Sequence, residues 1–184
     1  MKLSLLSHIA SGINQKRHPQ GNVYYLQARD FIKNDLLDSN LKPTIVDYPK
    51  LESHYLQKGD VLILSKGHHG FNAFVYNEEK SPAVASSIFL VLKHIDTKIL
   101  PEFLVWYVNL ESTQQHLISS SRGSALPAIN KKILSELEIP VPELHMQKDI
   151  IALSKLKEEE SKLIEQIDVL KSKALEINLK ERIQ

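Results

Sequence analysis

The sequence predicts an α+β fold: a globular domain of mainly antiparallel strands and short helices, followed by a long C-terminal coiled-coil helix. Three observations carry this prediction. Stretches rich in Val, Ile, Leu and Tyr and bounded by turn residues lie at 22–31, 59–67, 71–77 and 83–92, which is the composition of strands. Helical spacing begins only after them, from residue 99, and strands followed by helices mark an α+β domain rather than a doubly wound sheet. Finally, "LEIPVPELHMQ" at 137–147 contains Pro140 and Pro142, after which no proline or glycine occurs before Gln184.

Taken in order, "NVYYLQARDF", "GDVLILSKG", "FNAFVYN" and "AVASSIFLVL" each read as one strand. "ILPEFLVWYVNLESTQQHLISS" (99–120) has Pro101 near its start and spaces Phe103, Trp106, Tyr107 and Leu110 at helical intervals. At that spacing Trp106 and Tyr107 are assigned to the core rather than to base stacking. "INKKILSELE" (129–138) reads as a further short helix. Proline lacks a backbone donor and pushes the residue before it out of the helical region, so 139–142 must run extended.

Beyond the prolines the residues are mostly good helix formers. With Leu153 as position a, the 3-4 spacing visits Leu156, Glu160, Leu163, Ile167, Leu170, Ala174 and Ile177. Only Glu160 is polar, and Lys and Glu occupy the faces between, which is the pattern of a coiled-coil seam. Glu160 is either a local break or a polar residue that sets the register. One helix over 145–182 would span about 57 Å. A two-residue seam is narrow for a helix that covers its own domain, so the expectation is a helix that projects and pairs. The predicted division is a globular domain over 1–142 and a spacer or dimerisation helix over 143–184.

The 184 residues suffice for one ordinary domain with something extra. Hydrophobic residues make up 42% and charged residues 24%, the balance of a soluble globular protein. No stretch reaches the apolar length of a membrane span, and "MKLSLLSHIASG" is too interrupted for a signal peptide. The expected location is the cytoplasm. The absence of cysteine excludes disulfides, thiolate catalysis and zinc ribbons. Formal net charge is +1, with 15 Lys+Arg against 13 Asp+Glu in 1–142 and 8 against 9 in 143–184. Nothing in that balance favours a nucleic-acid partner, so only local patches could.

Such patches exist. "KGHHG" (66–70) presents Lys66 before a glycine and His68 and His69 between two glycines. Adjacent histidines on an extended loop point apart and no carboxylate stands at ligand spacing, so a metal site is not expected. The motif reads as a tight turn holding polar side chains outward for contact, or as a solvated hairpin tip. "SSSRGSALPAIN" (119–130) surrounds Arg122 with hydroxyls, Ser124 among them, a set that suits phosphate oxygens or base edges. "NQKRHPQG" (14–21) supplies Lys16 and Arg17 before a turn. There is no Walker loop, no Asn-Pro-Pro-aromatic tetrad, no glycine-rich cofactor loop after a strand, and no Pro-Asp...Glu-x-Lys nuclease constellation. Catalysis on this chain is therefore not expected.

The order of these motifs resembles a specificity subunit of type I restriction-modification systems. The matching residues are 59–64, 66–70, 119–129, 134–137 and 139–150, nearly the whole chain. The most specific part is Pro140-Val141-Pro142 joined to Gln147 and Ile150, which in that family ends a target recognition domain and launches a spacer helix. Met146 stands where the family commonly has Glu. The usual subunit has two recognition domains and two long helices, whereas this chain resembles a half-length form with one of each.

The resemblance implies a non-catalytic, sequence-specific DNA-binding subunit. It would dimerise through Leu153, Leu156, Glu160, Leu163, Ile167, Leu170 and Ile177 and read an inverted repeat in double-stranded DNA. Lys16, Arg17, Lys66, His68, His69, Arg122 and Ser124 are the candidate contacts. Adenine methyltransferase subunits, and a restriction subunit where one exists, would be the partners, and S-adenosylmethionine, ATP and Mg would be bound by them. The alternatives are a coiled-coil adaptor that does not read DNA and an accessory part of a separately encoded nuclease or methyltransferase.

Overall fold

The computed structural model describes residues 1–31, 37–67, 70–121 and 126–182. Two compact units divide the chain, Met1–Leu144 and His145–Gln184.

The first unit is built on a four-stranded antiparallel sheet of β1 (His8–Ser11), β3 (Val61–Leu64), β4 (Ala73–Val75) and β6 (Phe89–Lys93), in the order β1-β6-β3-β4. Register is set by pairs such as Ser11↔Leu90, Leu64↔Phe89 and Ile63↔Ala73. A second sheet pairs β2 (Tyr24–Leu26) with β5 (Ala83–Ala85) in parallel. Successive side chains of a strand point to opposite faces. On β6 both sets are buried, Phe89 and Val91 on one face and Leu90 and Leu92 on the other, so the sheet is covered on both sides. One layer joins Phe89 and Val91 to Leu26, Leu62 and Tyr76, with Phe31 stacked on Phe74 at 4.4 Å and Phe89 edge-on to Phe31 at 5.7 Å. A smaller cluster gathers Val23, Tyr25, Ile45, Leu51 and Val84.

Three sequence-based expectations change. The stretch 22–31 holds a strand only over Tyr24–Leu26, after which Gln27 and Asp30 form a capping box around a 3-10 turn at Ala28–Asp30. The stretch 83–92 is two strands in different sheets, separated at Ser86, whose N–H donates to Leu26 O while Phe89 N–H donates to Ser86 O. The helical stretch 99–120 is two helices, α1 (Pro101–Asn109) and α2 (Glu111–Ser120), because Leu110 takes an extended ψ of 138°. α1 buries Phe103, Leu104, Val105 and Val108 and packs on β4. Trp106 and Tyr107 are half-buried, with Trp106 5.3 Å from the Phe103 ring.

The short helix expected within 129–138 is α3 (Lys131–Ser135), capped by Asn130 Oδ1 accepting from Ile133 N–H at 3.0 Å. The unit closes on its own first residues. Met1 and Ile139 exchange backbone bonds at 2.6 and 2.7 Å, Leu3 N–H donates to Leu137 O at 2.9 Å, and Lys2 pairs with Glu136 at 2.6 Å. That carboxylate raises the Lys2 pKa.

The second unit is α4, Leu144–Glu181, a single 38-residue helix about 57 Å long. Leu153, Leu156, Leu163, Ile167, Leu170 and Ile177 are all exposed, each by 47% or more. Glu160 accepts from Lys157 Nζ at 2.7 Å, and this contact holds its carboxyl below the usual glutamate range. Among the described residues no helix is long and apolar enough to cross a membrane.

Candidate nucleic-acid interface

The sheet register brings three chain turns to one end of the sheet. β1 runs out at Ser11 opposite Leu90, β3 runs out at Leu64 opposite Phe89, and β4 starts at Ala73 opposite Ile63. The segment after β1 (12–22), the described parts of the β3–β4 connection (65–67 and 70–72) and the turn before β6 (86–88) therefore share that end.

The segment after β1 leaves through a close approach. Gly12 N–H donates to Phe89 O at 2.9 Å, and a Cβ on Gly12 would lie 2.0 Å from Ser86 O, so no larger residue fits without backbone movement. Ile13 N–H donates to Ala85 O at 2.9 Å, and Ile13 O accepts from the Tyr25 hydroxyl at 3.0 Å. Beyond that anchor, Lys16 and Arg17 are exposed. Arg17 Nη2 donates to Gln27 Oε1 at 2.6 Å, tying the segment to the 3-10 turn after β2. Gln15 Nε2 donates to the exposed Tyr48 hydroxyl at 2.7 Å.

The β3–β4 connection is held from both sides. Ser65 N–H and Oγ both donate to Ile88 O at 2.7 Å, Ile129 N–H donates to Ser65 O at 2.9 Å, and Lys66 forms a bridge with Ala128. Lys66 is exposed and stands beside the polar segment that follows α2. On the return side Gly70 has a φ of +96°, and a Cβ there would meet Gln114 Oε1 at 2.5 Å. Gln114 Oε1 accepts from Phe71 N–H at 2.7 Å and its Nε2 donates to Val108 O at 2.8 Å. Asn109 repeats the arrangement one residue pair on, accepting from Ala73 N–H at 2.8 Å and donating to Ala73 O at 3.0 Å. Two side-chain amides thus pair with the open edge of β4 as a strand would, which satisfies backbone groups that burial would otherwise penalise.

Of the sequence-predicted contacts, Lys16, Arg17 and Lys66 are brought to this end. His68, His69, Arg122 and Ser124 lie outside the described residues, although the positions flanking them do not: Gly67 N–H donates to Pro127 O at 3.3 Å. The serines before Arg122 are engaged locally, with Ser119 Oγ donating to His116 O and Ser121 Oγ to Ile118 O. Sequence reasoning did not find Gln15, Gln27, Tyr48, Asn109 or Gln114. A Gln or Asn carries no motif, and the partners of these residues are distant in sequence; only Gln27, three residues before Asp30, had a local capping signal.

The α+β unit thus has a polar end, and one long helix with an exposed apolar seam follows it in the chain. Residues 11–169 match the family model described as "Type I restriction modification DNA specificity domain". The chain belongs to that family. It is similar to the specificity subunit of the type I restriction enzyme HindI from Haemophilus influenzae, 26% identical over 133 residues that cover 71% of this chain and 28% of that subunit. It is also similar to the MjaVIII specificity subunit of Methanocaldococcus jannaschii, 27% identical, covering 56% of this chain and 27% of that one.

Among solved structures, a chain from a study of complex assembly and conformational transition of the type I R-M system shares the fold with a TM-score of 0.64 and 22% identity, covering 89% of this chain and 39% of that chain. The HsdS subunit of Thermoanaerobacter tengcongensis gives 0.59 at 19% identity, covering 87% and 37%. The present chain thus spans under a third of the curated relatives and about two fifths of the solved subunits.

Proposed function

We propose that this chain is a non-catalytic DNA-recognition subunit that directs methyltransferase subunits, and a restriction subunit where the system has one, to a bipartite target. The observation that carries the reading is that the segment leaving β1 and the start of the β3–β4 connection share one end of a sheet, with Lys66 bridged to Ala128, in a chain whose residues 11–169 match a DNA specificity domain. Lys16, Arg17 and Lys66 are suited to phosphates and base edges, and His68, His69, Arg122 and Ser124 are proposed beside them. S-adenosylmethionine, ATP and Mg belong in this reading to the partner subunits, which would also flip the target adenine.

Two copies pair through α4 in this reading, with Leu153, Leu156, Leu163, Ile167, Leu170 and Ile177 meeting across the seam. The exposure of those six side chains supports pairing, since a contiguous exposed apolar surface marks an interaction site. A two-fold dimer would present one reading surface twice in inverted orientation, so its site would be two inverted copies of one short word around an unread gap. The compartment in which DNA is met is the cytoplasm.

Selection of bound duplexes from a randomised pool, with the protein co-purified with its methyltransferase subunits, tests the whole reading. An inverted bipartite word with a fixed gap is the expected result. A stable complex that retains DNA without enriching any word would instead favour the adaptor role.

A further inference from the structure

We propose that a polar cleft along β1 binds consecutive phosphates of one DNA strand beside the half-site, acting as a backbone grip separate from the reading loops. The inference rests on the DNA-reading role proposed above.

The cleft encloses about 790 Å³. β1 is an edge strand, and the cleft follows it from His8 to Ile13. His54, His94 and Lys131 also line it. Lys93, paired with His8 across the sheet, donates from Nζ to Tyr55 O at 2.7 Å. Glu52 is the only carboxylate among the lining residues. Two ammonium groups and three imidazoles outnumber the carboxylates that act on them, Glu52 in the lining and the buried Asp60, which interacts with Lys93 and His94, and this balance favours an anion over a cation. Among the described residues no group of three His, Asp or Glu is arranged to hold a metal ion.

Shape and position select nucleic acid among anions. His8 to Ser11 covers about 10 Å at ~3.3 Å per strand residue, and one DNA strand presents a phosphate every ~3.4 Å of helix axis. The cleft is therefore long enough for more than one phosphate, whereas a single small anion would need only one end of it. It is also continuous with the reading end. Gly12 and Ile13, which launch the Lys16–Arg17 segment, line it. Lys131 lies two residues after Ile129, whose N–H holds Ser65 at the base of the other loop. His94, exposed among the lining residues, takes a φ of +52°, a backbone state in which ordinary side chains are uncommon. DNA lying along β1 would pass from this cleft directly to the loops. Contacts of this type fix position and add affinity without carrying sequence information.

Lys131 provides the test, because it is exposed at the first position of α3 and its replacement does not open the core. The full chain, with the methyltransferase subunits that co-purify with it, is titrated by fluorescence anisotropy against a duplex carrying the selected word and a scrambled duplex of equal length, at several salt concentrations. Lys131→Ala is expected to weaken both duplexes by a common factor of about 3 to 10 and to lower the slope of log K against log salt by about 0.9, leaving the selected word unchanged. Lys131→Glu should weaken both further. Unchanged affinity and slope in both variants, with wild-type discrimination intact, would overturn the grip while leaving the reading role standing. A changed word in Lys131→Ala would overturn it differently, by making the cleft a base reader. A wild-type complex that shows no preference between the duplexes would remove the reading role and the grip with it.

Discussion

The two units of this chain satisfy their apolar residues in opposite ways. In Met1–Leu144 the large side chains Phe71, Tyr76, Phe89 and Phe103 are at most 1% exposed, and even the open edge of β4 is closed by Asn109 and Gln114. In α4, Leu153, Leu163 and Leu170 are each about 60% exposed, and Lys157 pairs with Glu160 and Lys180 with Glu176 within the helix itself. The first unit has an interior of its own. The second leaves its apolar seam exposed. In the proposed reading, specificity and assembly are thus separated along the chain, and each could be disturbed without the other.

The largest expected effect tests the interior. Phe89 is fully buried and touches Phe31 and Phe74, so Phe89→Ala should cost the first unit about 3–5 kcal/mol. Denaturant unfolding followed by Trp106 fluorescence would read that loss. Light scattering should still find a dimer if pairing belongs to α4 alone, and dissociation of the variant would break the separation.

Leu163→Glu tests the other side. A charge forced into the seam without a partner should weaken pairing by about 3 kcal/mol or more, turning dimer into monomer at micromolar concentration while the melting of the first unit is preserved. If light scattering gives an unchanged mass, the seam is not the interface.

A smaller effect joins the interior to reading. Gln114→Leu leaves Phe71 N–H and Val108 O without their side-chain partner, a loss of about 1–3 kcal/mol. Because Phe71 follows the β3–β4 turn, discrimination between the selected word and single-base variants should narrow more than overall retention falls. Equal narrowing and weakening would mean that Gln114 supports the fold only.

The smallest effect is a difference of sign on acidification. Asp60 is buried at the start of β3, and burial raises its pKa above 3.8 even though Gln57 N–H donates to its Oδ2 at 2.9 Å. A raised carboxyl means that the folded unit holds its proton more tightly, so this contribution is complete below the unfolded pKa and is lost as pH rises through the folded one. Glu160 is lowered by Lys157, so its contribution to α4 is present above the unfolded pKa and lost as pH falls through the folded one. Titration toward acid should therefore show Asp60→Asn flattening a gain in the first unit, read by near-ultraviolet dichroism, and Glu160→Gln flattening a loss in α4, read in the far ultraviolet. The same sign in both would remove the electrostatic contrast.

Legibility in the sequence followed the range of the interactions. α4 and its seam were readable because helix periodicity and the stop at Pro140 and Pro142 are local. The strand character of 59–67 and 71–77 was readable from composition. The break in 83–92 was not, because residues 83–85 and 89–93 are similarly apolar and part only because one set pairs with β2 and the other with β3. The break at Leu110 was hidden by apolar spacing that runs through it, while Asn109 turned to pair with Ala73. β1 is four residues with His and Ser at its exposed ends, and it became a strand only beside residues 90–93. At the candidate interface Lys16, Arg17 and Lys66 could be proposed from the sequence, but that the segments carrying them share one end of the sheet could not, because sheet register is a non-local property.

The pairing of residues 1–3 with 137–139 bears on how the protein is made. That pairing encloses nearly all of the first unit in one loop, and it cannot form until residue 139 has left the ribosome. Synthesis is vectorial, and domains generally fold as units as they emerge. The first unit therefore has all of its own strands available before any of the seam residues, from Leu153 onward, has been added to free chain. If α4 pairs as proposed, that association follows the emergence of a unit whose strands are already all available.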